Sequence, residues 1–204
     1  MHRLLVATAN PGKMLELRAL LGDIRVNLVE PGDLDIALQV VEDGATYAEN
    51  AIKKARAFSE ASGLPSLADD TGLEVQALDG APGLFSRRYL PSEDASDADR
   101  RAFLLQNLKP KPRPWSACFR AAVAVAVPGG DTHWVEGVCN GEIIPEERGM
   151  GGFGYDRIFL VAGTGMTMAE LDLATKNRVS HRGQAILHAM PYLRELFEAP
   201  AASL

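Results

Sequence analysis

Asp69 and Asp70 stand side by side in Leu67-Ala68-Asp69-Asp70-Thr71-Gly72-Leu73-Glu74-Val75, two carboxylates inside an otherwise apolar run. Charge in a segment built to bury is costly unless it is paired, hydrogen-bonded or bound to a cation, so the pair reads as the end of a strand facing a cleft. On this stretch alone a solvated acidic turn is an equal reading. Glu42 supplies another acid, and Lys13, Lys54, Lys176 and Arg182 each lie near a helix end or loop rather than in a basic run. Each alone reads as a solvated surface charge. Together with the acids they fit a phosphate site with a divalent cation, because Mg²⁺ takes carboxylate and phosphate oxygens as ligands.

Other chemistries lack their motifs. Asn10-Pro11-Gly12-Lys13 has neither the preceding Gly nor the following Ser or Thr of a Walker A loop, and no Gly-x-Gly-x-x-Gly follows the first apolar run. No Gly-x-Ser-x-Gly elbow and no His-Glu-x-x-His helix is present, which removes support for a serine hydrolase or a zincin. Cys118 and Cys139 have no metal-ligand or redox spacing and read as two reduced core thiols.

The elements that must carry these residues alternate in type. Arg3 to Thr8 reads as a strand, Asn10-Pro11-Gly12 as a turn, and Met14, Leu17, Leu20 and Leu21 recur at helical spacing until Gly22. That unit aims Lys13 and the first N–H groups of a helix at one place, where unpaired donors and the helix dipole attract anions. Thr46-Tyr47-Ala48-Glu49 has the form of a capping box opening a helix to Gly63, with Ala48, Ile52, Ala55 and Phe58 on one face and Lys53, Lys54 and Arg56 on the other. Short strands are expected on either side of Thr71-Gly72, then a helix from about Ser96 to Leu108 and a Pro-rich linker, Lys109 to Pro114.

Ser116 to Val127 and Trp134 to Ile144 read as a hairpin around Pro128-Gly129-Gly130-Asp131, and a Gly-rich loop, Gly149 to Asp156, leads into a strand at Ile158 to Val161. Thr167-Met168-Ala169-Glu170 offers another capping box. The last helix carries Ile186, Ala189, Met190, Leu193 and Phe197 on one face, with Pro191 either kinking or restarting it. The sum is an α/β fold: a mixed β-sheet with flanking helices, in two lobes around a central cleft, within one domain over 1–204.

With 204 residues, 47% hydrophobic and 24% charged, the composition is that of an ordinary globular protein. A net charge of −6 argues against a general nucleic-acid or anionic-membrane surface and leaves room for a local basic phosphate site. The run Leu4-Leu5-Val6-Ala7 is too short for a signal-peptide core and no stretch could span a bilayer, so a cytoplasmic protein is expected.

Four segments in register, Thr8-Ala9-Asn10-Pro11-Gly12-Lys13, Ala68-Asp69-Asp70-Thr71-Gly72-Leu73 with Gly80-Ala81-Pro82-Gly83 and Ser86-Arg87-Arg88-Tyr89, Gly152-Phe153-Gly154-Tyr155-Asp156, and Ser180-His181-Arg182-Gly183-Gln184-Ala185, resemble the inosine/xanthosine triphosphate pyrophosphatase family. The resemblance runs from about Leu4 to Leu196 and implies Mg²⁺-dependent hydrolysis of non-standard purine nucleoside triphosphates to the monophosphate and pyrophosphate. It implies that Thr8, Ala9, Asn10, Pro11, Gly12 and Lys13 hold the triphosphate, with Lys54 and Lys176 adding positive charge. It makes Asp70 the general base and a metal ligand, with Glu42 a second acidic metal position. Thr71 stands where the family often has Ser.

By the same resemblance Phe153, Gly154, Tyr155 and Asp156, with His181 and Arg182, bind the base, a ring stacking on the purine and donors facing O6. Arg157 departs from the family, which more often has Pro there. Asp69 is kept as a supporting carboxylate, because neighbours on a strand point to opposite faces. The resemblance also implies a homodimer. Two alternatives stay open: a related pyrophosphatase acting on modified pyrimidine nucleotides, and a nucleotide sensor that binds without cleaving.

Overall fold

The computed structural model describes residues 2–92 and 94–198. Among them the strands are β1 (His2–Val6), β2 (Val26–Val29), β3 (Ser66–Val75), β4 (Pro82–Gly83), β5 (Trp115–Ala126), β6 (Thr132–Ile143) and β7 (Phe159–Val161). The α-helices are α1 (Pro11–Leu20), α2 (Tyr47–Ser62), α3 (Asp97–Leu108), α4 (Leu173–Val179) and α5 (His181–Glu198). The strands pair in the order β2-β1-β3-β5-β6-β7, with β4 beside β3. The sheet is mixed: β1 runs parallel to β2 and β3, while β3 with β4 and β6 with β7 are antiparallel. No helix among the described residues is long and apolar enough to cross a membrane.

Two compact units divide this chain. The first comprises the chain up to Asp70, Ala122–Gly137 and the chain from Ala185; the second comprises Thr71–Ala121 and Val138–Gln184. β3, β5 and β6 pass from one to the other, and burial along β5 changes character as it does so. In the second unit Trp115, Ala117 and Phe119 are buried and alternate with more exposed neighbours; from Ala121 to Ala126 every residue is buried. Alternation marks a strand with one covered face and a continuous apolar run one covered on both.

In the first unit Leu4, Leu5 and Val6 of β1, Met14 and Leu17 of α1, Ala51 and Ala55 of α2, and Ala189 and Leu193 of α5 are buried. Thr46 caps α2 by accepting the Glu49 N–H, and Gly63 ends the helix at φ +67, a left-handed conformation that glycine adopts without Cβ strain. Glu49 does not close the expected box on Thr46; its carboxylate takes the Ala45 N–H at 2.8 Å. In the second unit Leu73, Leu104, Phe119, Ile143, Ile158 and Phe159 belong to one buried cluster with Cys139. Both cysteines are free thiols, Cys139 in the core and Cys118 half-buried. Burial pushes the Cys139 thiol up to about 11, so it stays protonated and unreactive at neutral pH.

Two local expectations are corrected, and one of two alternatives at Pro191 falls away. β3 runs unbroken through Thr71-Gly72, because pairing of Leu73 and Glu74 with β4 holds the backbone extended where glycine alone suggested a turn. Thr167 to Glu170 opens no helix: Glu170 accepts the Thr167 N–H at 2.7 Å, but the Thr167 hydroxyl donates to the Arg148 carbonyl and leaves a closed turn, and the helix starts at Leu173 with Asp172 as its cap. α5 does not restart at Pro191. The proline lies inside the helix on its exposed side, where water can serve the carbonyl that loses its partner.

Candidate active site

The first unit gathers acids and lysines. Asp69 and Asp70 are adjacent on β3 and part as strand geometry demands: Asp69 is 2% exposed and meets Lys13 Nζ at 3.1 Å, while the half-buried Asp70 accepts from Asn50 Nδ2 at 3.0 Å. Asn50 is itself held by α2 and accepts the Gly44 N–H on Oδ1 at 2.8 Å. Lys54, one turn further along α2, pairs with Glu42 and donates to the Asp69 carbonyl at 3.2 Å. Burial raises the Asp70 carboxyl above its ordinary value; the Asn50 hydrogen bond pulls it down, Glu42 pushes it up, and Lys13 and Lys54 pull it down. Lys13, Glu42 and Lys54 are thus close enough to act on the charge of Asp70.

At the start of α1 the anion donors are not arranged as expected. Asn10 Oδ1 accepts the N–H groups of Gly12 at 2.8 Å and Lys13 at 3.1 Å, Pro11 has no N–H, and the Asn10 N–H goes to the Thr8 hydroxyl at 3.1 Å. An N-cap has taken the donors a ligand would use. What the turn offers is the Lys13 ammonium at the positive end of the helix dipole. Thr8, Ala9 and Asn10 shape that turn, with the Ala7 N–H bonded to the Leu67 carbonyl at 2.8 Å.

Glu42 and Asp70 are hard oxygen donors whose like charges are unfavourable side by side, and Glu42 adds to the upward push on Asp70. Such a pair suits Mg²⁺, which takes one or two carboxylates and fills the remaining positions with water and phosphate oxygens. It is a pair and no more: among the described residues no group of three or more His, Cys, Asp or Glu side chains is placed to hold a metal.

The second unit gathers aromatic and cationic groups. Gly152 at φ +70 and Gly154 at φ +60 turn the loop so that the Phe153 N–H donates to Asp156 Oδ2 at 2.9 Å. The same oxygen receives Lys176 Nζ at 2.6 Å, an ion pair in which both side chains are 6% exposed. The Lys176 ammonium lies 5.0 Å from the centre of the Phe153 ring, and the Arg182 guanidinium 5.7 Å. Both distances allow cation–π attraction. His181, 5% exposed, stacks on Phe119 at 4.7 Å and 14°. Tyr155 is buried and donates its hydroxyl to the Ser86 carbonyl at 2.8 Å; burial pushes its phenol up.

The residues singled out from the sequence therefore fall into two groups. Lys13, Glu42, Lys54, Asp69 and Asp70 come together in the first unit. In the second unit Lys176 and Arg182 meet the Phe153 ring and Lys176 pairs with Asp156, while His181 stacks on Phe119. Thr71 follows Asp70 on β3 as the first residue of the second unit. Asn50 was not foreseen, although a 3% exposed asparagine on a helix rich in buried alanine is a signal in its own right.

Asp97 and Arg101 of α3 were also missed. Asp97 Oδ2 accepts the Gly154 N–H at 2.7 Å and Arg101 Nη1 donates to the Gly154 carbonyl at 2.9 Å. Burial pushes the Asp97 carboxyl up, but hydrogen bonds from Arg100 and the Gly154 N–H, with the Arg100 and Arg101 charges, outweigh it and hold the group below its ordinary 3.8. A carboxylate depressed in the folded state adds stability above its unfolded value and loses it as pH falls through the folded one. Asp97→Asn is accordingly expected to have a lower urea midpoint than the parent from neutral pH down to about pH 4, with the gap closing at lower pH. A gap that stays constant to about pH 3 would contradict this.

The match to the Ham1 family model covers residues 4–192. Over 187 residues the chain is 47% identical to the dITP/XTP pyrophosphatase of Geobacter sulfurreducens, covering 91% of this chain and 94% of that protein. It is 44% identical over 197 residues to the dITP/XTP pyrophosphatase of Desulforamulus reducens, covering 96% and 97%. The structure of a HAM1 protein from Coxiella burnetii superposes with a TM-score of 0.86 at 39% identity, covering 96% of this chain and 100% of that one. Sequence and fold thus agree along nearly the whole length, and the chain belongs to the Ham1 family.

Proposed function

We propose that this chain hydrolyses non-standard purine nucleoside triphosphates, those of inosine, deoxyinosine and xanthosine, to the monophosphate and pyrophosphate, with Mg²⁺ bound at Glu42 and Asp70. The observation that carries the reading is the Asp70 carboxylate set among Asn50, Glu42, Lys13 and Lys54, in a chain 47% identical to a dITP/XTP pyrophosphatase. When bound, the metal neutralises phosphate charge and acidifies water. Asp70 accepts the proton of a water attacking the α-phosphorus in line; the new P–O bond forms as the bond to pyrophosphate breaks. Lys13 and Lys54 offset the charge gathering on the leaving group, and positioning with electrostatics supplies most of the rate.

Base recognition falls to the second group in this reading. Phe153 offers a ring face, and His181 and Arg182 offer donors to a purine O6. A donor that meets the 6-amino group of adenine instead is left unsatisfied at a cost of about 1–3 kcal/mol. The family resemblance further supports a homodimer acting in the cytoplasm.

Pyrophosphate release from purified protein tests the proposal. Release is expected from inosine and xanthosine triphosphates, is abolished by a chelator and restored by Mg²⁺, and is slow from modified thymidine or uridine triphosphates. Faster turnover of the pyrimidines would transfer the chain to the related pyrophosphatases, and tight binding without release would make it a sensor.

A further inference from the structure

We propose that Arg101, anchored by Glu147, is a positioning residue for base recognition, acting through the Gly154 peptide that separates Phe153 from Tyr155. The inference rests on the reading that the Phe153 group receives the base.

Asp97 and Arg101 are four apart on α3 and so share one face. They grip the two polar groups of a single residue, one taking the Gly154 N–H and the other giving to the Gly154 carbonyl. Gly154 sits at φ +60, and the direction in which Phe153 points depends on the peptides on either side. On the α3 side Asp97, Arg101, Gly152, Phe153 and Arg157 line a cavity of about 270 Å³. Across that cavity the two directional hydrogen bonds to Gly154 tie the loop to α3.

Arg101 is itself fixed. It is 6% exposed, and Glu147 takes its Nε at 2.7 Å and its Nη2 at 3.0 Å, a bidentate pairing that sets the guanidinium plane and leaves Nη1 for Gly154. Arg157 approaches the same carboxylate at 3.7 Å, and its carbonyl accepts the Arg148 N–H at 2.9 Å. The arginine that stands in place of the usual proline is thereby tied to the same anchor. On the other side of the loop Asp156 joins the Phe153 N–H to Lys176. The ring is held from α3 through Gly154 and from α4 through Asp156.

Loss of the α3 hold displaces the ring without touching Asp70, Lys13 or Lys54, so binding of the base suffers and the chemical step does not. In full-length protein, Arg101→Met is expected to raise KM for inosine triphosphate and the calorimetric Kd for inosine monophosphate by about 10-fold, with kcat within about 3-fold. Arg101→Lys, which keeps the charge but cannot pair in a bidentate way, falls between. In a Phe153→Ala background Arg101→Met adds little, because the ring it positions is gone. Should Arg101→Met not fold, Glu147→Gln replaces it, with a smaller rise in the same Kd expected.

A folded Arg101→Met protein that binds inosine monophosphate as the parent does overturns the positioning role alone. An unchanged Kd in Glu147→Gln does the same where Arg101→Met fails to fold. Parent protein that neither binds inosine monophosphate nor releases pyrophosphate overturns the underlying reading and this inference with it.

Discussion

Asp70→Asn folds as the parent does, melts no lower, and releases pyrophosphate at least about 10²-fold more slowly. The first two expectations come from electrostatics. Burial and then Glu42 work against the Asp70 carboxylate, only partly offset by Asn50, Lys13 and Lys54, and its carboxyl stands above the ordinary value. Above that value the ionised group costs the folded state free energy, so a neutral amide of the same shape removes a penalty. The asparagine oxygen can still accept from Asn50 Nδ2 as Asp70 Oδ2 does at 3.0 Å. Turnover falls because an amide can neither take the proton of the attacking water nor bind a dication as a carboxylate does. Thermal melts and a pyrophosphate-release assay on the same preparation check both halves; a variant with near-normal turnover would remove Asp70 from the mechanism.

Gly183→Ala is the stability counterpart. Gly183 is buried in the first turn of α5, and a Cβ there would overlap the backbone carbonyl of Asn177 in α4, a group with no side-chain freedom to yield. Overpacking of this kind costs about 1–3 kcal/mol and more where backbone must move, and at this chain length each kcal/mol lowers the melting temperature by roughly 2–4 °C. His181 and Arg182 immediately precede the site and move with it, so KM for inosine triphosphate is expected to rise as well. A calorimetric melt matching the parent would show that α4 and α5 can part at little cost.

Features fixed by near neighbours were readable in the chain. Thr46 and Gly63 bracket α2, Ser96 opens α3, and Pro128 to Asp131 turns β5 into β6, because caps and turns depend on residues two to four positions apart. Local rules misled where distant backbone intervened. Gly72 reads as a turn until β4 pairs beside it, and Thr167 reads as a cap until its hydroxyl is claimed by Arg148. At the candidate site the residue types were legible and the pairings were not. Lys13 meets Asp69 across 56 positions and Asp97 meets Gly154 across 57, separations at which no periodicity exists to be read. The donors at the start of α1 show a subtler case. Asn10-Pro11-Gly12 reads as a turn, and the cap that its amide oxygen makes on the Gly12 and Lys13 N–H groups shows only once α1 is in place.

The Asn50 amide has a polarity that its neighbours impose. Because the Gly44 N–H can only give, the oxygen end of Asn50 is committed to it, and the nitrogen end is left facing Asp70. One planar group therefore couples the loop that carries Glu42 to the strand that carries Asp70, and it transmits in a single direction. Aspartate at 50 would keep the loop bond and confront Asp70 with a third negative charge, while leucine would serve neither end. The placement of Asp70 against the Gly44 loop is in that sense set from α2, by a side chain whose two polar ends are both engaged.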